Sequence, residues 1–132
     1  MKKMAQQYFA NSDPRVRPDL TVGLPGTIDS STVTADSSGK KVVLQGTPVG
    51  ATTDWLSADQ SKGTTKLSEF TGADGQEFAG VIAADTDVTA GDADVTVWFE
   101  NVYLRQKLLD STVVAALQAV AGKTPGVKLI NR

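Results

Sequence analysis

Apolar and polar positions are most clearly ordered between Phe78 and Leu104, and the rest of the chain is arranged about that stretch. Phe78-Ala79-Gly80-Val81-Ile82-Ala83-Ala84 is almost wholly apolar, which predicts a strand covered on both faces. From Val95 the pattern alternates, so that Val95, Val97 and Phe99 point one way and Thr96, Trp98 and Glu100 the other. Between the two runs, residues 85–94 are acidic and turn-forming, with Gly91 free to take a positive φ. This spacing predicts a hairpin at the core of a small β-rich domain.

Upstream, Ser31-Thr32-Val33-Thr34 and Lys40-Lys41-Val42-Val43-Leu44 read as strands about a turn at Asp36-Ser37-Ser38-Gly39. Gly46-Thr47-Pro48-Val49-Gly50 reads as a loop, Asp54-Trp55-Leu56 as a short apolar anchor between loops, and Thr65–Phe70 as a further strand. Downstream the period changes to 3.6. Asp110 or Ser111 caps a helix whose Val113, Leu117 and Val120 share a face, Gly122 suits the left-handed position after it, and Pro125 prevents continuation. So short a helix must pack on the sheet to persist. Val127-Lys128-Leu129-Ile130 predicts a last strand.

Residues 1–27 read as an extended N-terminal arm, with a single domain over 28–132. Asn11-Ser12-Asp13-Pro14, Arg17-Pro18-Asp19 and Gly23-Leu24-Pro25-Gly26 interrupt any regular element every few residues. Yet Tyr8, Phe9, Val16, Leu20, Val22 and Leu24 are apolar along that run, as in a segment that orders on a partner.

At 132 residues the chain suits one domain with a modest core. The net charge of −2 offers no general attraction for nucleic acid, and no stretch approaches the length of a membrane span. The opening Met1-Lys2-Lys3-Met4-Ala5-Gln6-Gln7-Tyr8 lacks the apolar run of a secretory signal, which predicts a soluble protein made in a cytoplasm. Charge is unevenly distributed: from Asp54 to Glu100 acids greatly outnumber Lys62 and Lys66, whereas beyond Asn101 the bases Arg105, Lys107, Lys123, Lys128 and Arg132 face only Asp110. Such a division favours contacts between copies or with a charged partner, although a solvated surface would read the same way.

Candidate chemistry is sparse. With neither Cys nor His, thiolate catalysis and the commonest general base and metal ligand are excluded, and no metal or cofactor is expected. Asp85, Asp87, Asp92 and Asp94 do not follow the calcium-loop order, because Thr89 and Ala90 stand at its fifth and sixth positions. Gly122-Lys123-Thr124 closes a helix where a phosphate loop would open one. Ser37, Ser38 and Lys40 read as a turn rather than a dyad. Trp55, Trp98 and Tyr103 read equally as interface anchors or as core.

The run Gly80–Val95, a short apolar strand, an acidic Thr-Ala-Gly-Asp turn and a valine-rich strand, resembles the lambda-type head decoration proteins of tailed phages. The lead-in Phe70-Thr71-Gly72-Ala73-Asp74-Gly75 and the Ala/Leu-rich helix before Val127-Lys128-Leu129-Ile130 are similar too, so that the resemblance extends over roughly residues 40–132. Trp98-Phe99 and Asn101-Val102-Tyr103 depart from it, since small aliphatics are commoner there. The resemblance implies a mainly β, barrel-like domain of the β-tulip kind with one short C-terminal helix and an N-terminal arm. It implies a non-enzymatic homotrimer on the exterior of an expanded capsid, binding the major capsid protein and no nucleic acid or membrane. On that expectation the capsid-contact candidates are Tyr8, Phe9, Arg15, Val16, Arg17, Leu20 and Val22, and the trimer-contact candidates are Trp55, Trp98 and Tyr103. Two other classes fit the composition: a β-rich adhesion or fibre module, which needs Trp55 and Trp98 in one exposed groove, and a hydrolase, which needs two acids with raised pKa in one cleft.

Overall fold

The computed structural model describes residues 13–57 and 65–131 and is mainly β. Its strands are β1 (Val22–Ile28), β2 (Val42–Val43), β3 (Pro48–Ala51), β4 (Ser68–Glu69), β5 (Glu77–Ile82), β6 (Thr86–Asp87), β7 (Ala93–Glu100), β8 (Val102–Arg105) and β9 (Val127–Ile130). One α-helix, α1 (Ser111–Ala119), lies among the described residues. Five strands form a sheet in the order β1-β7-β5-β3-β4, antiparallel throughout. The barrel-like expectation is corrected in one respect: the sheet is open, its two ends meeting only at the isolated bridge between Ile28 and Leu67.

The predicted central pair is present, with Val81 opposite Trp98 and Ile82 opposite Val97. Because side chains alternate, one sheet carries two cores. Ile28, Val49, Trp55, Leu67, Ile82 and Val97 fill one side, and Val81, Trp98, Val102, Leu104, Val113, Leu117 and Val127 the other. Burial on both faces accounts for the unbroken apolar run in β5. It also places Trp98 inside, on the face opposite Val97, while Phe99 is only half-buried. The acidic connection is more than a turn, since β6 within it pairs with β2.

Helix α1 forms as its caps dictate. Asp110 accepts a hydrogen bond from the Thr112 N–H at 2.9 Å, Val113, Leu117 and Val120 are buried, and Gly122 takes φ +86°. The last strand, β9, pairs in parallel with β8.

Three elements differ from expectation. Ser31–Thr34 does not extend; Ser30–Thr32 is a 3₁₀ turn, capped by Asp29 through the Ser31 N–H at 3.0 Å. Pro48–Ala51, expected as loop, is the buried strand β3, where a Cβ on Gly50 would collide with the Glu77 carbonyl oxygen of β5. The arm boundary expected at residue 27 falls inside β1, which pairs along its length with β7. A Cβ on Gly26 would meet Leu67, Trp55 and Val97 at 2.8–3.0 Å, so this glycine permits close packing rather than a turn.

Candidate functional site

The surface with the most unusual chemistry is the lead-in that brings the chain into β1. Pro14, Arg15 and Val16 lie antiparallel along β8: the Val16 N–H donates to the Tyr103 carbonyl and the Arg105 N–H to the Pro14 carbonyl, both at 2.7 Å, about a bridge between Arg15 and Leu104. Arg15 is thereby turned inward. Its Nε and Nη2 donate to the two carboxylate oxygens of Asp13 at 3.0 and 2.9 Å, and its guanidinium carbon stands 4.4 Å from the centroid of the Trp98 ring. A cation over a partly desolvated indole contributes on the order of 1–2 kcal/mol. Partial burial pushes the Asp13 carboxyl up, but the side-chain and backbone hydrogen bonds from Arg15, with the charges of Arg15 and Arg105, hold it below the usual aspartate value.

After Val16 the chain turns. Arg17 and Asp19 make an exposed ion pair at 2.9 Å, worth little energetically, and the Thr21 hydroxyl donates to the Asn101 carbonyl at 3.1 Å. Beyond the turn Leu20, Val22 and Leu24 are each more than two-fifths exposed. They lie at the outer edge of the sheet, where Leu67 pairs only with the far end of β1 through the Thr27 carbonyl and Asp29 N–H. Strand alternation then directs the backbone of Pro25 and Gly23 outward as well. Pro25, having no N–H, therefore sits where the open edge would otherwise donate a hydrogen bond.

The acids of the central connection do not converge. Asp85 accepts from the Gln45 N–H at 2.7 Å, Asp87 from the Thr89 N–H at 2.8 Å, Asp94 from the Thr27 hydroxyl at 2.7 Å. Asp92 takes the Ser30 N–H at 2.8 Å and Lys66 at 2.6 Å. Asp85, Asp92 and Asp94 each tie the connection to another segment, whereas Asp87 closes a turn within it, and no group of three metal-ligating side chains occurs among the described residues. The perturbed carboxylates, Asp13, Asp19, Asp36, Asp87, Asp92 and Asp110, are all shifted downward, as hydrogen-bonded anions are. A hollow of about 350 Å³ between β2, β3 and α1 is lined by Ile28, Val33, Val43, Val49, Val113 and threonines, with Glu69 its one acid. It holds no pair for acid–base chemistry.

No family model matches this chain, and no curated protein matches it.

Of the residues singled out from sequence, Tyr8 and Phe9 lie outside the described residues. Arg17, Leu20 and Val22 are exposed and Val16 is half-buried, so these four remain on the surface. Arg15 is half-buried, its guanidinium paired with Asp13 and stacked over the Trp98 ring. Trp55 and Trp98 are corrected from interface candidates to core, being 2% and 7% exposed in separate clusters, so neither offers a face to a second copy or a shared groove to a ligand. Tyr103 is half-buried and keeps an outward face on β8. Leu24, named from sequence as apolar in the arm, is exposed as well, and sequence reasoning missed Leu56 as an exposed apolar side chain.

Proposed function

We propose that this chain is a structural protein of a tailed-phage virion, a head decoration protein. In this reading it assembles as a trimer on the exterior of the expanded capsid and holds neighbouring major capsid subunits together. The observation that supports it most is the lead-in: a segment pinned to the domain at Pro14–Val16 and again at β1 presents Leu20, Val22 and Leu24 outward. Three exposed apolar side chains grouped on one short segment mark an interaction surface. The run from Gly80 to Val95 that carries the family resemblance lies at the middle of the sheet and its connection, where it would hold such a surface rigid. Neither other class has a supporting observation among the described residues, where the tryptophans line no groove and no cleft pairs two acids with raised pKa.

The test is co-sedimentation of purified protein with expanded and with unexpanded phage heads. Saturable binding to expanded heads only, with increased resistance of the bound heads to chelation and heat, is the expected result. Equal binding to both, or to neither, overturns the reading.

A further inference from the structure

Among the described residues, no element packs on the outer face of the small sheet of β8 and β9. In its parallel register Tyr103 lies opposite Lys128 and Arg105 opposite Ile130, so these four share one side, while Val102, Leu104 and Val127 are buried on the other. Val16, on the segment paired with the far side of β8, alternates with the inward Arg15 and so joins the outer face. The face is therefore basic and apolar together. A parallel pair is usually covered on both sides, yet Tyr103 and Ile130 are left half-exposed here and Lys128 exposed.

A surface of the opposite character occurs elsewhere on the same chain. Leu56, Phe78, Phe99 and Pro125 surround a hollow of about 290 Å³, with Glu100 in its wall and Glu77 beside Phe78 at the start of β5. Leu56 is 49% exposed. Among the described residues Glu77, Glu100 and Lys128 form no ion pair, whereas the charge of Arg105 also acts on Asp13.

We propose that these surfaces bind each other between copies of this chain, the outer β8–β9 face of one copy covering the acid-rimmed Phe78/Phe99 hollow of the next. The inference rests on the self-assembly contained in the proposed function and names the surfaces that would carry it. Both patches are apolar at the centre and carry charge of opposite sign, which is what shape and charge complementarity between partners requires. Because two different patches meet, the contact is head-to-tail, and such contacts close into rings when the rotation per copy allows. Tyr103, and not the buried tryptophans, is the aromatic anchor.

The experiment is sedimentation velocity over a range of concentrations on the full chain. Lys128→Glu alone, and Glu77→Lys with Glu100→Lys, each place like charges across the contact and should raise the dissociation constant at least tenfold. The combination of all three restores opposite charges and should recover most of the affinity. Leu56→Ser, which removes the apolar side chain without adding charge, should weaken assembly at low and high salt alike. Leu56, Glu77, Glu100 and Lys128 are all exposed, so an unchanged thermal transition confirms the fold in each variant. Assembly of the natural chain with unaltered affinity in the charge variants, or loss without recovery in the combination, overturns these surfaces while leaving self-assembly standing. A natural chain that stays monomeric at millimolar concentration also overturns the inference; if that monomer still decorates expanded heads, the functional reading survives it.

Discussion

Trp98 is where the two sides of the sheet and the lead-in meet, and its neighbours in β7 allow its contribution to be separated. Trp98 is buried against Val81, Leu104 and Leu117 and covered by Arg15, Phe99 is half-buried beside the other core, and Thr96 is exposed. Trp98→Ala should therefore destabilise by about 3–5 kcal/mol, Phe99→Ala by clearly less, and Thr96→Ala by within about 0.5 kcal/mol, read from urea denaturation. An order with Phe99 above Trp98 would mean that the main core lies on the Val97 side. Asp13 adds a pH dependence to the same place. Its carboxyl is held low by Arg15 and Arg105 despite partial burial, so its stabilisation is fully present above the ordinary aspartate value of about 3.9. That stabilisation is lost as pH falls through the lower folded value. Asp13→Asn should lower the melting temperature at pH 6, and the gap from the natural chain should shrink steadily toward pH 3. A gap that stays constant would show that the carboxylate charge contributes nothing.

Among the elements, those built on a periodic pattern with local caps were legible before the structure, and those built on close approach were not. Helix α1 follows from Asp110, the Val113–Leu117–Val120 spacing and Gly122, all of which act within a turn or two of chain. The pairing of β5 with β7 follows from an apolar run facing an alternating one. In contrast β1 and β3 contain Gly23, Pro25, Gly26, Pro48 and Gly50, which read locally as breaks. Their reason lies across the sheet: Gly26 sits against Trp55 and Leu67, and Gly50 against the backbone of β5, partners that are distant in sequence. The surface was legible only in part for the same reason. Leu20 and Val22 stand out as apolar residues in a polar run, whereas the inward turn of Arg15 depends on Trp98, more than eighty positions away. Gly80 tests whether close approach is the cause. A Cβ there would strike the Trp98 carbonyl oxygen and lie 2.7 Å from Val97, so β5 and β7 could not keep their spacing. Gly80→Ala should destabilise by about 1–3 kcal/mol or more, despite the better intrinsic behaviour of alanine in a strand. A neutral or stabilising outcome would show that the glycine is incidental. At the helix, Asp110→Ala should lower the melting temperature and Asp110→Ser should restore most of it, because serine can accept the same Thr112 N–H bond.

For the whole molecule, the division between domain and arm decides what a truncation can report. The expected boundary at residue 27 would remove most of β1, leaving β7 as a bare edge and uncovering Trp98 once Arg15 is gone. Strand β7 pairs on both sides, with β1 and β5, so losing β1 should unfold the sheet rather than trim it. The lead-in is tied down from Asp13 onward by the bonds to Tyr103 and Arg105. A chain beginning at Asp13 should thus keep the thermal transition of the full chain to within a few degrees, and one beginning at Gly26 should melt far lower or not fold. Affinity for expanded heads then separates the contributions of the two parts. If Tyr8 and Phe9 supply contacts to the shell, the chain from Asp13 should bind more weakly, because the remaining apolar row of Leu20, Val22 and Leu24 would act alone. Each buried large apolar side chain lost contributes roughly 1.5–3 kcal/mol, so a fall of one to two powers of ten per contact is the scale to look for. The complementary variant, Leu20→Ser with Val22→Ser and Leu24→Ser in the full chain, should weaken binding without lowering the melting temperature. Full affinity in the chain from Asp13, together with loss in the triple serine variant, would place the capsid contact entirely on the lead-in and the edge of β1.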